Sequence, residues 1–118
     1  MSRAAISLFA FGVYLAVLGL LLLLVPNLLL QAFSVPPTNE VWIRLNGMFI
    51  LCLSFYYIMG ARSELISFIR WTVITRAAVV VYFVAFIVLL DAPKALLLFG
   101  VIDLAAAFWT WRELRWVR

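Results

Sequence analysis

Two side chains stand out because hydrocarbon is a poor solvent for them. Asp103 sits near the middle of the hydrophobic run PKALLLFGVIDLAAAFWTWRELRW, and Arg76 sits early in WTVITRAAVVVYFVAFIVLL. Left unpaired in a membrane, each costs roughly 2.5–3.5 kcal/mol on insertion scales. On a helix Asp103 shares a stripe with Phe99, Gly100, Ala106, Ala107 and Thr110, which recur at steps of three and four and are mostly small or polar. Small residues let a second helix approach closely, and a carboxylate on that face avoids lipid only by facing inward. At 1.5 Å per residue, Asp103 lies ~13 Å along its helix from Arg112, and Arg76 ~9 Å from Arg70. The offset is within reach of an arginine. Side chains lean toward their own helix N-terminus, however, so Arg76 and Asp103 lean apart. A bridge through Tyr57, Thr75, Thr110 or water is the expected way to join them. Three readings stay open: a structural polar cluster that sets helix register, a ligand or proton site, or Arg76 reaching the aqueous edge with Asp103 neutral or otherwise paired.

Two further polar residues belong to the same candidate set. Asn46 falls about a turn inside another apolar segment, where its amide needs a partner, either a neighbouring helix or a ligand. Arg44 is placed to snorkel to the same interface as Glu40. The candidate site therefore comprises Asp103, Arg76, Asn46, Tyr57, Thr110 and Arg44.

What the chain lacks narrows the chemistry. It has no histidine and a single cysteine, Cys52. That excludes an intrachain disulfide, a Cys-x-x-Cys redox pair, a bis-histidine haem, a histidine-rich metal site and histidine-assisted nucleophiles. No catalytic set, metal site or cofactor is expected, and Cys52 reads as a small lipid- or core-facing residue.

The elements that must position these residues follow from composition. Of 118 residues 69% are hydrophobic and 12% charged, against about 45–50% and about 25% in a soluble domain. A small domain cannot hide that excess, so lipid is the expected solvent. The length allows about four crossings at ~20 residues each. We expect an all-α membrane protein, one domain built as a four-transmembrane-helix antiparallel bundle, with spans at residues 5–25, 41–60, 68–90 and 93–112. The first is read as a retained helix and not a cleaved signal, because its apolar core is long and no small-x-small site follows it. Within it Gly12 and Ala16 form a small-xxx-small pair, read as ordinary close packing. Pro26 ends this span or starts a short new turn, Asn27 to Phe33 can lie in the interface, and Pro36 and Pro37 break any helix. Thr38 or Asn39 is expected to cap the second span, Gly60 to end it, Ser63 to cap the third and Asp91 to cap the fourth.

The net charge of +4 is explained by topology and anionic headgroups and does not call for nucleic acid. Arg3, Arg62, Arg70, Arg112, Arg115 and Arg118 fall on one side, with Trp109, Trp111 and Trp116 in the same terminal stretch. Only Arg44 and Lys94 fall on the other. The positive-inside rule then puts both termini in the cytoplasm.

The pattern of a first span ending in proline, WIRLNG opening the second, YYIMGAR closing it, TVITR early in the third and APKALLLFGVIDLAAAFWT in the fourth resembles the DoxX-like proteins and related small bacterial four-span families of unknown function. The resemblance covers nearly the whole chain. It implies a multi-pass protein of the bacterial inner membrane in which Arg44, Asn46, Arg76 and Asp103 are the characteristic polar positions. No activity comes with it.

Two functions from different classes compete. One is a non-catalytic accessory or scaffold subunit whose partners are membrane lipid and other membrane subunits or a second copy of itself. The other is an intramembrane small-molecule or lipid-binding protein with its site around Asp103 and Arg76, ringed by Phe99, Tyr57, Trp109 and Tyr82, where aromatics around a carboxylate suit a cation. An enzyme using Asp103 or Tyr57 lacks a second carboxylate at similar depth, and a transporter lacks broken helices and inverted repeats.

Overall fold

In a computed structural model describing residues 1–115, the chain is helical in five pieces: α1 (Arg3–Leu24), α2 (Pro26–Ala32), α3 (Val41–Arg62), α4 (Ile66–Leu90) and α5 (Ala95–Leu114). Among the described residues there is no strand. Trp116 and Arg118, assigned above to a basic aromatic tail, lie outside the described residues. The four long helices are long and apolar enough to cross a membrane; their 20 to 25 residues span about 30–38 Å, matching the ~30 Å hydrocarbon layer. The fifth helix is the short α2, opened by Pro26 at a position where proline costs no intrahelical hydrogen bond.

Three helices, α2, α3 and α4, close on a non-glycine residue in the left-handed region: Ser34, Glu64 and Asp91, with φ of 58°, 53° and 54°. After α2, Val35 N–H donates to Leu30 O and Ser34 N–H to Gln31 O. After α3, Leu65 N–H donates to Gly60 O and Glu64 N–H to Ala61 O. Both are Schellman closures, which satisfy the last carbonyls of a helix by reversing the chain. Gly60 is therefore not the end of α3. It lies inside the last turn, and what its missing Cβ provides is room: a methyl there would sit 2.5 Å from Phe68 Cδ2. Ser63 does not cap α4, whose flanking residue is Leu65. Asp91 closes α4 instead of opening α5, which begins after Lys94 without a side-chain cap. Thr38 Oγ1 accepts the Glu40 N–H at 3.1 Å, shaping the turn just before α3.

The chain divides into two compact units. One holds Met1–Leu8 and the residues from Gly60 onward; the other is Phe9–Met59.

In the Phe9–Met59 unit, α1 and α3 run antiparallel with their backbones in contact. A Cβ added to Gly47 would meet Leu23 N at 2.6 Å and Gly19 O at 2.8 Å; one on Gly19 would meet Leu51 N at 2.8 Å and Gly47 O at 2.9 Å. Main-chain atoms, not flexible side-chain tips, fill the space. At one end of this seam Phe11 and Tyr57 are buried with ring centroids 5.9 Å apart. At the other, Arg44 Nη1 donates to Leu23 O at 2.7 Å and Leu24 O at 3.3 Å. It thereby satisfies carbonyls that α1 leaves exposed as it stops ahead of Pro26.

In the other unit α4 and α5 are antiparallel, with Gly100 fitting against Val80 and Phe83. The inward positions are Ile69, Thr72 and Arg76 on α4, and Gly100, Ala107, Thr110, Glu113 and Leu114 on α5. They recur at the three- and four-residue steps of a packed helix pair. The first turns of α1 join them, with Ala4, Ala5, Ser7 and Leu8 fully buried. Ser2 opens α1: its Oγ accepts the Ala5 N–H at 3.1 Å, and its own N–H donates to the Glu64 carboxylate. The acid of a capping box, normally supplied three residues along the same helix, comes here from the turn after α3.

Candidate functional site

Arg76 is the largest fully buried side chain, 1% exposed. Its Nε donates to Thr72 O at 3.2 Å and its Nη2 to Thr72 Oγ1 at 3.3 Å, while the Thr72 hydroxyl donates to Ile69 O at 2.7 Å. The guanidinium thus lies over the preceding turn of α4, where the backward tilt of the Cα–Cβ bond directs a long side chain. Thr72 serves both ends of this relay, donating to Ile69 and accepting from Arg76. The arrangement supplies hydrogen-bond acceptors to a cation that has left water, which the burial of a charge requires.

Asp103 is half-buried on α5 and within electrostatic range of Arg76. The rest of its stripe is also inward: Gly100, Ala107 and Thr110 are buried, and Phe99 and Ala106 half-buried. Deeper along α5, Thr110 Oγ1 and Ser7 Oγ are 2.7 Å apart, and Ser7 Oγ donates to Ala4 O at 2.7 Å. With the Ser7 proton committed to Ala4, Thr110 is the donor in the pair. These contacts fix α1 against α5 through a fully buried hydroxyl pair.

The expected hydroxyl bridges between Arg76 and Asp103 are engaged elsewhere. Thr75 is exposed and donates to Thr72 O at 3.2 Å on its own helix, and Thr110 serves Ser7. Of the aromatics expected around Asp103, Tyr82 and Trp109 are exposed. The six candidate residues fall into two groups. Arg76, Asp103 and Thr110 share one unit; Arg44, Asn46 and Tyr57 belong to the other. In that second group Tyr57 packs on Phe11, Arg44 closes the end of α1, and Asn46 is exposed on α3.

Ser7, Thr72 and Gly47 are absent from the sequence-derived set. Thr72 carried a usable signal, standing four residues before an intramembrane arginine, where that side chain lands. Gly47 carried another as the small residue in WIRLNG. Ser7 had none, because its partner lies on a helix distant in the sequence.

At the aqueous end of this unit, the Ser2 backbone N–H, followed by the Ser2 side chain, holds the Glu64 carboxyl below the usual carboxylate range. Hydrogen bonds to the charged form favour it. Among the described residues no group of three histidine, cysteine or acidic side chains is gathered as a metal ion would need.

Compared with family models, curated proteins and solved structures, the chain matches none.

Proposed function

We propose that this chain is a non-catalytic membrane subunit that works by helix packing, as an accessory or scaffold for other membrane components. The observation that carries the reading is where the polar side chains of the long helices go. Thr72, Thr75 and Arg76 are hydrogen-bonded to α4, Ser54 to Leu51 O of α3, and Ser7 and Thr110 to each other. Meanwhile large apolar residues such as Val17, Phe55, Ile74 and Phe108 face outward. These polar groups are satisfied by the chain itself, within a helix or between α1 and α5, and the outer surface is left to lipid and neighbours, as expected of a packing element. The same reading takes the chain to be a DoxX-like protein of the bacterial inner membrane with both termini cytoplasmic, on the resemblance and the arginine distribution given above. Purification from native membranes in mild detergent tests it: a stoichiometric membrane partner or a self-assembly is expected. A lone monomer with a ligand-filled interior contradicts it.

One observation favours a second reading, an intramembrane site for a lipophilic cation. Asp103 is only half-buried and keeps no hydrogen bond within the described residues, so its carboxylate is available to a ligand. Lipophilic amines are expected to raise the melting temperature of the wild type and not of Asp103→Asn. An identical response in both contradicts this reading.

A further inference from the structure

The α3 helix carries an outward seam that the packing of the chain does not use. Trp42, Asn46, Phe49, Leu53 and Tyr56 recur at alternating steps of four and three, the spacing that brings two helices together along one line. All five are exposed: Trp42 by 68%, Phe49 by 59%, Leu53 by 42% and Tyr56 by 61%, with Asn46 among them. The buried residues Gly47 and Ser54 lie roughly 80–100° round the helix from Asn46, and the buried Tyr57 borders the seam. Asn46 is the exception in an otherwise apolar line. It lies about 7 Å along the axis from Val41 and a turn beyond Trp42, and among the described residues its amide makes no hydrogen bond. Arg44, Ser54, Thr72, Thr75, Arg76, Ser7 and Thr110 by contrast each have a hydrogen-bond partner on their own helix or on one packed beside it. An amide facing hydrocarbon without one carries an uncompensated desolvation cost.

We infer that this seam is where a second copy of the chain docks, with α3 packed parallel to α3 and Asn46 hydrogen-bonded to its equivalent. The inference rests on the packing reading above and names its surface. The occupant follows from charge complementarity and depth. A side-chain amide has a partial positive donor and a partial negative acceptor, so it complements itself when rotated about a two-fold axis. Copies inserted the same way round share one such axis along the membrane normal. Identical residues then meet at identical depth, and Asn46 faces Asn46. A single asparagine in an apolar seam fixes register and partner number in this way, and Phe49 and Leu53 supply the dry contact around it.

The test uses the full chain reconstituted in liposomes. In a Cys52→Ala background, single cysteines at Phe49→Cys and Leu53→Cys are oxidised and compared with Met48→Cys and Phe55→Cys, which are also exposed but lie to the side of the seam. Cross-linked dimer is expected at 49 and 53 and not at 48 or 55. Dimerisation measured by energy transfer between labelled copies should weaken roughly three- to twentyfold in Asn46→Leu and persist in Asn46→Gln, from about 0.6–1.7 kcal/mol per interhelical hydrogen bond. Equal cross-linking at all four positions, a monomeric wild type, or an Asn46→Leu chain that dimerises like the wild type overturns the inference. A stoichiometric partner recovered from native membranes while α3 fails to cross-link overturns the self-pairing and leaves the packing function standing.

Discussion

The two units hold helices together with different emphasis. In Phe9–Met59, α1 meets α3 through glycines whose missing side chains let main chain touch main chain. In the other unit, Thr110 of α5 donates to Ser7 of α1 and Arg76 is tied back to Thr72 within α4, while Gly100 fits α5 against Val80 and Phe83 of α4. Lipid explains why both exist. Burying apolar surface gains little between helices already in hydrocarbon, so association relies on close packing or on hydrogen bonds. The glycine seam is steric and intolerant of added volume. The polar cluster is chemical and intolerant of a lost partner.

That contrast ranks the expected effects. Gly47→Val should do most damage, at about 3 kcal/mol or more, because the obstructing atoms are backbone and cannot rotate away; reversible unfolding in mixed micelles measures it. Arg76→Leu follows at about 2–3 kcal/mol, because it removes a cation that acts electrostatically on Asp103 while hydrogen-bonded positions on Thr72 fall empty. Asp103→Leu combined with Arg76→Leu should recover part of that loss, and a double-mutant cycle reads the coupling. Full additivity would show that the two charges act independently and would weaken the contrast. Thr110→Val should cost about 1 kcal/mol, the net worth of one buried hydrogen bond. If Gly47→Val were milder than Thr110→Val, the ranking would reverse and the steric account of the first unit would fail.

The smallest effect is expected at the turn after α3. Folding holds the Glu64 carboxyl below its usual range through Ser2. Its contribution is therefore present above the unfolded-state value and is lost as pH falls through the lower folded-state value. Glu64 is half-exposed, so solvent screens the gain. Glu64→Gln at neutral pH should loosen the start of α1 as acid does in the wild type, seen as faster amide exchange at Ala5 and Ile6. Unchanged exchange in both would detach Glu64 from the α1 cap.

Much of the architecture was legible in the residues. Four apolar runs of membrane length, broken between Pro26 and Pro37, at the polar Arg62, Ser63 and Glu64, and near Pro93, account for the four long helices. The backward lean of Arg76 was readable from helix geometry. Helix ends were not, because Ser34, Glu64 and Asp91 take the left-handed conformation that glycine usually supplies, so Gly60 and Ser63 looked like boundaries and were not. The candidate site was readable as residue types only. Which hydroxyl serves which partner depends on helices far apart in the chain: Ser7 meets Thr110 through tertiary packing, and no local pattern announces it.

Cysteine accessibility to a membrane-impermeant maleimide, in a Cys52→Ala background, tests the threading of the four long helices most directly. Cysteines placed at Val17, Arg76 and Asp103 should stay unlabelled, those at Pro36 and Ala92 should label from one face of the membrane, and one at Ser63 from the opposite face. Labelling of the three helical positions from bulk water, or of Pro36 and Ser63 from the same face, would contradict it.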